Sequence, residues 1–171
     1  QINAFAMPGG HIVVYTGILS KMKEPVELAA LLAHEGTHVE QRHSTRGIAR
    51  DLAGSLFLSL LLGDLGGVTS VLAQKGDELK GLSYSRDLET EADTIGIRRL
   101  HANGVDPNGM VKLLELLGRE AQDMPEGASF LSSHPLTKNR LATAEAKAAE
   151  FSTVNVSLPA LDSLFGQLKQ P

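Results

Sequence analysis

The stretch Pro25-Val26-Glu27-Leu28-Ala29-Ala30-Leu31-Leu32-Ala33-His34-Glu35-Gly36-Thr37-His38-Val39 decides how this chain is read. Val26, Leu28, Leu31, Leu32, Glu35 and Val39 keep helical spacing. Pro25, following Glu24, suits the first position of a helix, and the helix is expected to run to about Ser44. His34 and His38 then lie one above the other on one face, so both imidazoles can share one metal ion. Glu35, about 100° further round, stands beside the ion and is poorly placed to bind it. This is the H-E-x-x-H arrangement, in which the glutamate serves as general base toward a water at the metal.

A catalytic metal needs a third protein ligand and an open position. The extended motif with Gly and a third His is excluded, because positions 41 and 44 hold Gln41 and Ser44. With no cysteine in the chain, the site must use His and carboxylate. Glu89-Thr90-Glu91-Ala92-Asp93 supplies candidates. Glu89 and Asp93 share a helix face, whereas Glu91 lies about 200° round from Glu89 and points elsewhere. One carboxylate of the Glu89/Asp93 pair can bind metal while the other accepts the second N–H of a ligating histidine. Ala92 permits close helix packing beside them.

Outward from these two segments, residues 2–8 and 11–16 read as strands joined at Gly9-Gly10, a hairpin signal. Gly17 to Met22 is a short helical turn. Further helices are expected over Thr45–Leu62, Val68–Gln74 and Ser83–Ala102, with a loop at 75–78. Asn103-Gly104 ends the last of these as a C-cap. Asp106-Pro107 starts another helix, with Asp as N-cap and an apolar face of Met110, Leu113, Leu114 and Leu117. A loop spans 121–136, and Thr137 caps a final helix to about Glu150. The tail from Ser152 has no assignment. The expectation is a mainly helical α+β domain with one small sheet near its start.

At 171 residues the chain is one domain's worth of sequence, residues 1–171, with a core over 3–150 and a tail over 151–171. The net charge of −4 carries no basic stripe and gives no argument for nucleic acid. No signal peptide or spanning helix is evident. The apolar run Leu52–Leu62 falls short of the roughly 20 residues a span needs. It is expected to be a buried or groove-lining helix, with a membrane-facing surface as the alternative. The abrupt opening at Gln1-Ile2-Asn3 suggests an excised domain or mature fragment.

The H-E-x-x-H motif, followed by E-x-E-A-D after Ser85-Arg86, resembles the gluzincin family of zinc metallopeptidases that includes HtpX, Oma and the CAAX prenyl endopeptidase. Asn3-Ala4-Phe5-Ala6-Met7-Pro8-Gly9-Gly10, Val14-Tyr15-Thr16-Gly17 and Ser132-Ser133-His134-Pro135 with Arg140 are similar to that family too. The matches run in order from residue 3 to 140, and the likeness is greatest to the soluble periplasmic BepA-type branch. The resemblance implies a zincin-like fold and one zinc ion per chain. His34, His38 and Glu89 would be the ligands, Glu35 the general base, and Asp93 the support of a ligand.

The same resemblance points His134 at the metal, with Arg140 six positions on. His134 would either stabilise the oxyanion of the tetrahedral intermediate or occupy the fourth coordination position and hold the enzyme latent. Arg140 would help stabilise the developing negative charge. Asn3, Ala4 and Phe5 are candidates for holding an extended peptide by strand addition; the alternative is plain core strand. His11, His43 and His101 are expected in surface or local roles, since His43, five residues past His38, falls off the ligand face of a continuous helix.

The implied function is a zinc endopeptidase acting on unfolded or misfolded envelope proteins, periplasmic or membrane-associated. The competing reading is a chaperone-like binding module with a latent or structural zinc. A helical-repeat domain, a membrane-protein partner or peripheral membrane contact through the Leu56–Leu62 segment would complete the picture.

Overall fold

The computed structural model describes residues 2–7, 9–62, 85–123, 130, 133–152 and 158–169. Strands β1 (Ala4–Met7) and β2 (His11–Val14) form an antiparallel hairpin with Ala4 opposite Val14 and Met7 opposite His11. The turn closes with the Gly10 N–H donating to the Met7 carbonyl. Gly9 and Gly10 take φ of 97° and 92°, a region that costs glycine nothing. Both strands are shorter than expected, because the chain bends at Tyr15 into α1 (Thr16–Lys21). A last main-chain bond, Tyr15 N–H to Asn3 O, ties the bend down.

Helix α2 (Pro25–Glu40) is the axis of the fold. Its start is fixed by Pro25 at N1 and by the Glu27 carboxylate, which accepts the Glu24 N–H at 2.9 Å. Leu28, Ala30 and Leu31 are buried in the core, packed with Ile18, Met22, Ile97, Met110, Leu113 and Leu114. The helix ends four residues before the expected Ser44. Arg42 adopts φ 53°, which breaks the helical path, and α3 (His43–Leu62) sets off in a new direction.

Helix α4 (Arg86–Ala102) packs on α2, and α5 (Asn108–Asp123) packs on both. Gly96 lies at a tight crossing: a Cβ there would sit 2.7 Å from Met110 Cε and 3.5 Å from the main chain at Ala33 and His34. Ala92, one turn earlier, is fully buried. The Asn103-Gly104 stop is as expected, with Gly104 at φ 71° and the Val105 N–H returning to Leu100 O. Asp106 Oδ1 accepts the Asn108 N–H at 3.0 Å, the capping role foreseen for it. Thr137 likewise accepts from the Arg140 N–H at the start of α6 (Lys138–Ala148).

Two further expectations fail. The helix capped by Thr137 is not the last, since α7 (Pro159–Leu168) follows and places Phe165 in the core. Pro159 at N1 with Leu161, Leu164, Phe165 and Leu168 at helical spacing was the signal available. The buried placement expected for the apolar run on α3 is not met where its side chains are described: Leu56, Phe57 and Leu61 are 47%, 62% and 66% exposed, which leaves the surface alternative. Past the Arg42 turn, α3 leaves the core instead of lying along it. Among the described residues no helix is long and apolar enough to cross a membrane. The expected helix at 68–74, the loop at 75–78 and half of the 121–136 loop lie outside the described residues; the first three residues of that loop, 121–123, belong instead to α5.

Candidate metal centre

Four donors converge where α2 and α4 cross. His34 and His38 come from consecutive turns of α2, Glu89 from α4, and His134 from the turn that precedes α6. One ligand atom from each lies within 4.8 Å of all the others, and all four residues are buried. His34 Nε2 is 3.1 Å from His38 Nε2 and 3.4 Å from His134 Nδ1. Glu89 reaches His38 Nε2 at 3.3 Å, His34 Nε2 at 3.5 Å and His134 Nδ1 at 3.0 Å. Metal–ligand bonds of 2.0–2.1 Å in tetrahedral geometry require donor separations of about 3.3 Å. The donor set therefore fits a small tetrahedral cation such as zinc.

The electrostatics favour the same conclusion. Burial works against charge on His34, but hydrogen bonds and charges of Asp93 and Glu89 outweigh it and raise its pKa to about 10. At His38 burial prevails and the pKa falls to about 3, helped by the charges of His34 and His134. Glu89 is held far below the carboxylate range: burial opposes this, but His134, His34 and His38 together overcome it. An ionised Glu89 buried among the imidazoles favours a positive charge at the centre of the cluster.

The supporting groups are as specific as the ligands. His34 Nδ1–H donates to Asp93 Oδ1 at 2.9 Å. Arg140, on α6, grips Asp93 with two bonds, Nε to Oδ2 at 2.7 Å and Nη2 to Oδ1 at 2.9 Å. Its Nη1 reaches Glu89 Oε2 at 2.7 Å and the Pro135 carbonyl at 3.1 Å. The guanidinium is thus committed to the ligand scaffold, a geometry that suits positioning better than the direct stabilisation expected of it. Glu89 faces the histidine nitrogens, whereas Asp93 stands behind His34 and outside the donor cluster.

Glu35 is fully buried, and neither carboxylate oxygen has a hydrogen-bond partner among the described residues. His134 Nε2 lies 3.4 Å from its Oε1. A buried carboxylate without hydrogen bonds is costly, and its position beside the donor cluster is the one a general base would occupy. The His134 ring itself is stacked on Phe130, with centroids 4.5 Å apart and an interplanar angle of 20°.

His43 corrects the sequence reading. It is fully buried, and its Nδ1 lies 2.8 Å from His38 Nδ1. A continuous helix would carry it off the ligand face; the left-handed residue Arg42 turns it back toward His38. His11 is exposed, and His101 is half-buried against Phe151. Asn3 and Ala4 are buried, main chain included, and Phe5 is half-buried near the Tyr15 ring, so of these three only Phe5 offers appreciable surface to a peptide. A cavity of about 310 Å³ opens beside His38, lined from β1 by Ala6 and Met7 and from the α2–α3 junction by Val39 and Arg42.

The profile of peptidase family M48 matches residues 1–148. The beta-barrel assembly-enhancing protease of Yersinia pestis is 31% identical over 99% of this chain and 37% of its own length. That of Escherichia coli is 33% identical over 86% of this chain and 32% of its length. The mitochondrial metalloendopeptidase OMA1 of Schizosaccharomyces pombe is 38% identical over 84% of this chain and 42% of its length. The chain spans less than half the length of the relatives it matches.

Proposed function

The chain belongs to peptidase family M48, and on that premise we propose that it is a zinc-dependent endopeptidase that cleaves unfolded or misfolded proteins of the cell envelope. The observation that carries this reading is the buried, unbonded Glu35 carboxylate beside four converging donors. A structural zinc site has no use for such a group.

His34, His38 and Glu89 would hold the metal, which supplies Lewis acidity toward the scissile carbonyl and lowers the pKa of water. Glu35 takes the proton from the attacking water and returns it to the leaving amine. Asp93 fixes the ring of His34, and Arg140 holds Asp93 and Glu89 in register. A peptide would add along β1, the strand that Asn3 leads into and that holds Ala4 and Phe5, entering from the Phe5 end because Ala4 is covered; besides β2, β1 pairs with no second strand among the described residues. One of its side chains would enter the cavity beside Ala6 and Met7. Residues 1–171 would act as one peptidase domain, in the periplasm or at a membrane. Protein substrates accord with the names of the relatives, and the exposed α3 face is where a partner or membrane would bind.

The position of His134 favours a second, nested reading. Its Nδ1 already sits among the ligand atoms, so it would serve as a fourth ligand that keeps the resting enzyme latent. A chaperone-like module with an idle zinc is the limiting form of that state.

Casein degradation by the zinc-loaded chain, with Glu35→Gln as blank, tests the proposal. Cleavage by wild type alone supports it, and equal cleavage by both removes Glu35 as base. Silence from both with zinc bound supports latency, which His134→Ala should then relieve.

A further inference from the structure

His43 lies outside the set of groups the proposed reaction uses, yet it is fully buried and directed at a ligand. Its Nδ1 and that of His38 stand 2.8 Å apart, so one of the two must carry the hydrogen. Two arrangements exist. If His43 donates, the His38 hydrogen moves to Nε2, aimed at His34 Nε2 and Glu89, and His38 cannot ligate. If His38 donates, its Nε2 lone pair faces the other donors, and the His43 hydrogen sits on Nε2. That atom lies 3.5 Å from Glu91 Oε2. A carboxylate on that side favours the second arrangement.

Resting on the metal-centre reading, we propose that Glu91 and His43 form a relay that sets the tautomer and orientation of His38, making both residues positioning residues for metal binding. The three acidic residues of Glu89-x-Glu91-x-Asp93 then divide the work. Glu89 faces the metal, Asp93 holds His34 directly, and Glu91 holds His38 through His43. The about 200° that separates Glu91 from Glu89 on the helix is what sends it to the α3 side of the site. The two arms differ in exposure. Asp93 is buried under Arg140, whereas Glu91 is 39% exposed and lies 3.9 Å from the exposed Arg46. The His38 arm of the site therefore ends at the protein surface.

The test is zinc affinity, measured by competition with a chromophoric chelator, for wild type, His43→Ala, His43→Asn and Glu91→Gln. Loss of such a support weakens metal binding by roughly 10- to 100-fold, and His43→Ala should fall in that range. His43→Asn can accept the His38 Nδ1–H through its side-chain oxygen and should recover most of the loss, which a packing defect would not allow. Glu91→Gln should weaken binding by less than His43→Ala. Proton NMR of the zinc-loaded chain should show a His38 Nδ1–H resonance that disappears in His43→Ala. Wild-type affinity in His43→Ala overturns the relay. Should that variant fail to fold, unchanged affinity in Glu91→Gln overturns it instead. A wild-type chain that binds no zinc refutes the metal centre itself, a separate outcome.

Discussion

Arg140 and Asp93 face each other as fork to fork, Nε to Oδ2 at 2.7 Å and Nη2 to Oδ1 at 2.9 Å, both side chains buried. The pair joins α6 to α4 directly behind His34. Both groups are driven toward their charged forms: burial opposes it, but hydrogen bonds and charges of His34 and then Arg140 lower Asp93, and those of Asp93 with the charge of Glu89 raise Arg140. Removing one partner leaves the other charge buried and uncompensated, at a cost of about 3–5 kcal/mol. Arg140→Ala should lose that much stability in urea unfolding. Arg140→Lys keeps the charge but not the fork, and should recover only part of it. Full recovery by lysine would show that charge alone matters here.

The crossing at Gly96 sets the distance between the helix that carries His34 and the helix that carries Glu89 and Asp93. Gly96→Val would push branched carbons against Met110 and the main chain at Ala33 and His34. Overpacking of this kind costs about 1–3 kcal/mol. Zinc affinity should fall together with stability in chemical denaturation. A variant that loses stability while keeping wild-type affinity would show that the site tolerates helix displacement.

Removal of the metal should be visible as lost stability. A ligand at one hundred times its dissociation constant stabilises the folded state by about 2.7 kcal/mol. A chelator should therefore lower the thermal midpoint, and added zinc should restore it. An unchanged midpoint would mean that the donors hold no ion in the folded chain.

His134 distinguishes the two states of the proposed enzyme. If its ring occupies the fourth position at rest, His134→Ala should weaken zinc binding and raise casein cleavage. A fall in cleavage with zinc retained would assign His134 to stabilising the reacting oxygen instead.

The parts of the site legible in the sequence were those set by helical periodicity. His34, Glu35 and His38 fall on one stretch of α2, and Glu89 and Asp93 on one face of α4, so spacing alone places them. His43 stays out of the four converging donors, as its spacing implies, but its burial against His38 is not legible, because the left-handed residue Arg42 redirects the chain just before it. The exposure of Leu56, Phe57 and Leu61 was hidden for the same reason, since an apolar run does not say which way its helix leaves the core. His134 is a hundred residues from His34, and only likeness to a family linked the two. Helix α7 was missed although Pro159 and its apolar spacing were present.

The most direct test is the zinc content of the purified chain, by elemental analysis, for wild type, His34→Ala and Glu35→Gln. The account predicts one zinc per chain in wild type and in Glu35→Gln, and almost none in His34→Ala. Zinc retained by His34→Ala, or lost from Glu35→Gln, would contradict the division of this pocket into metal ligands and a base that stands beside them.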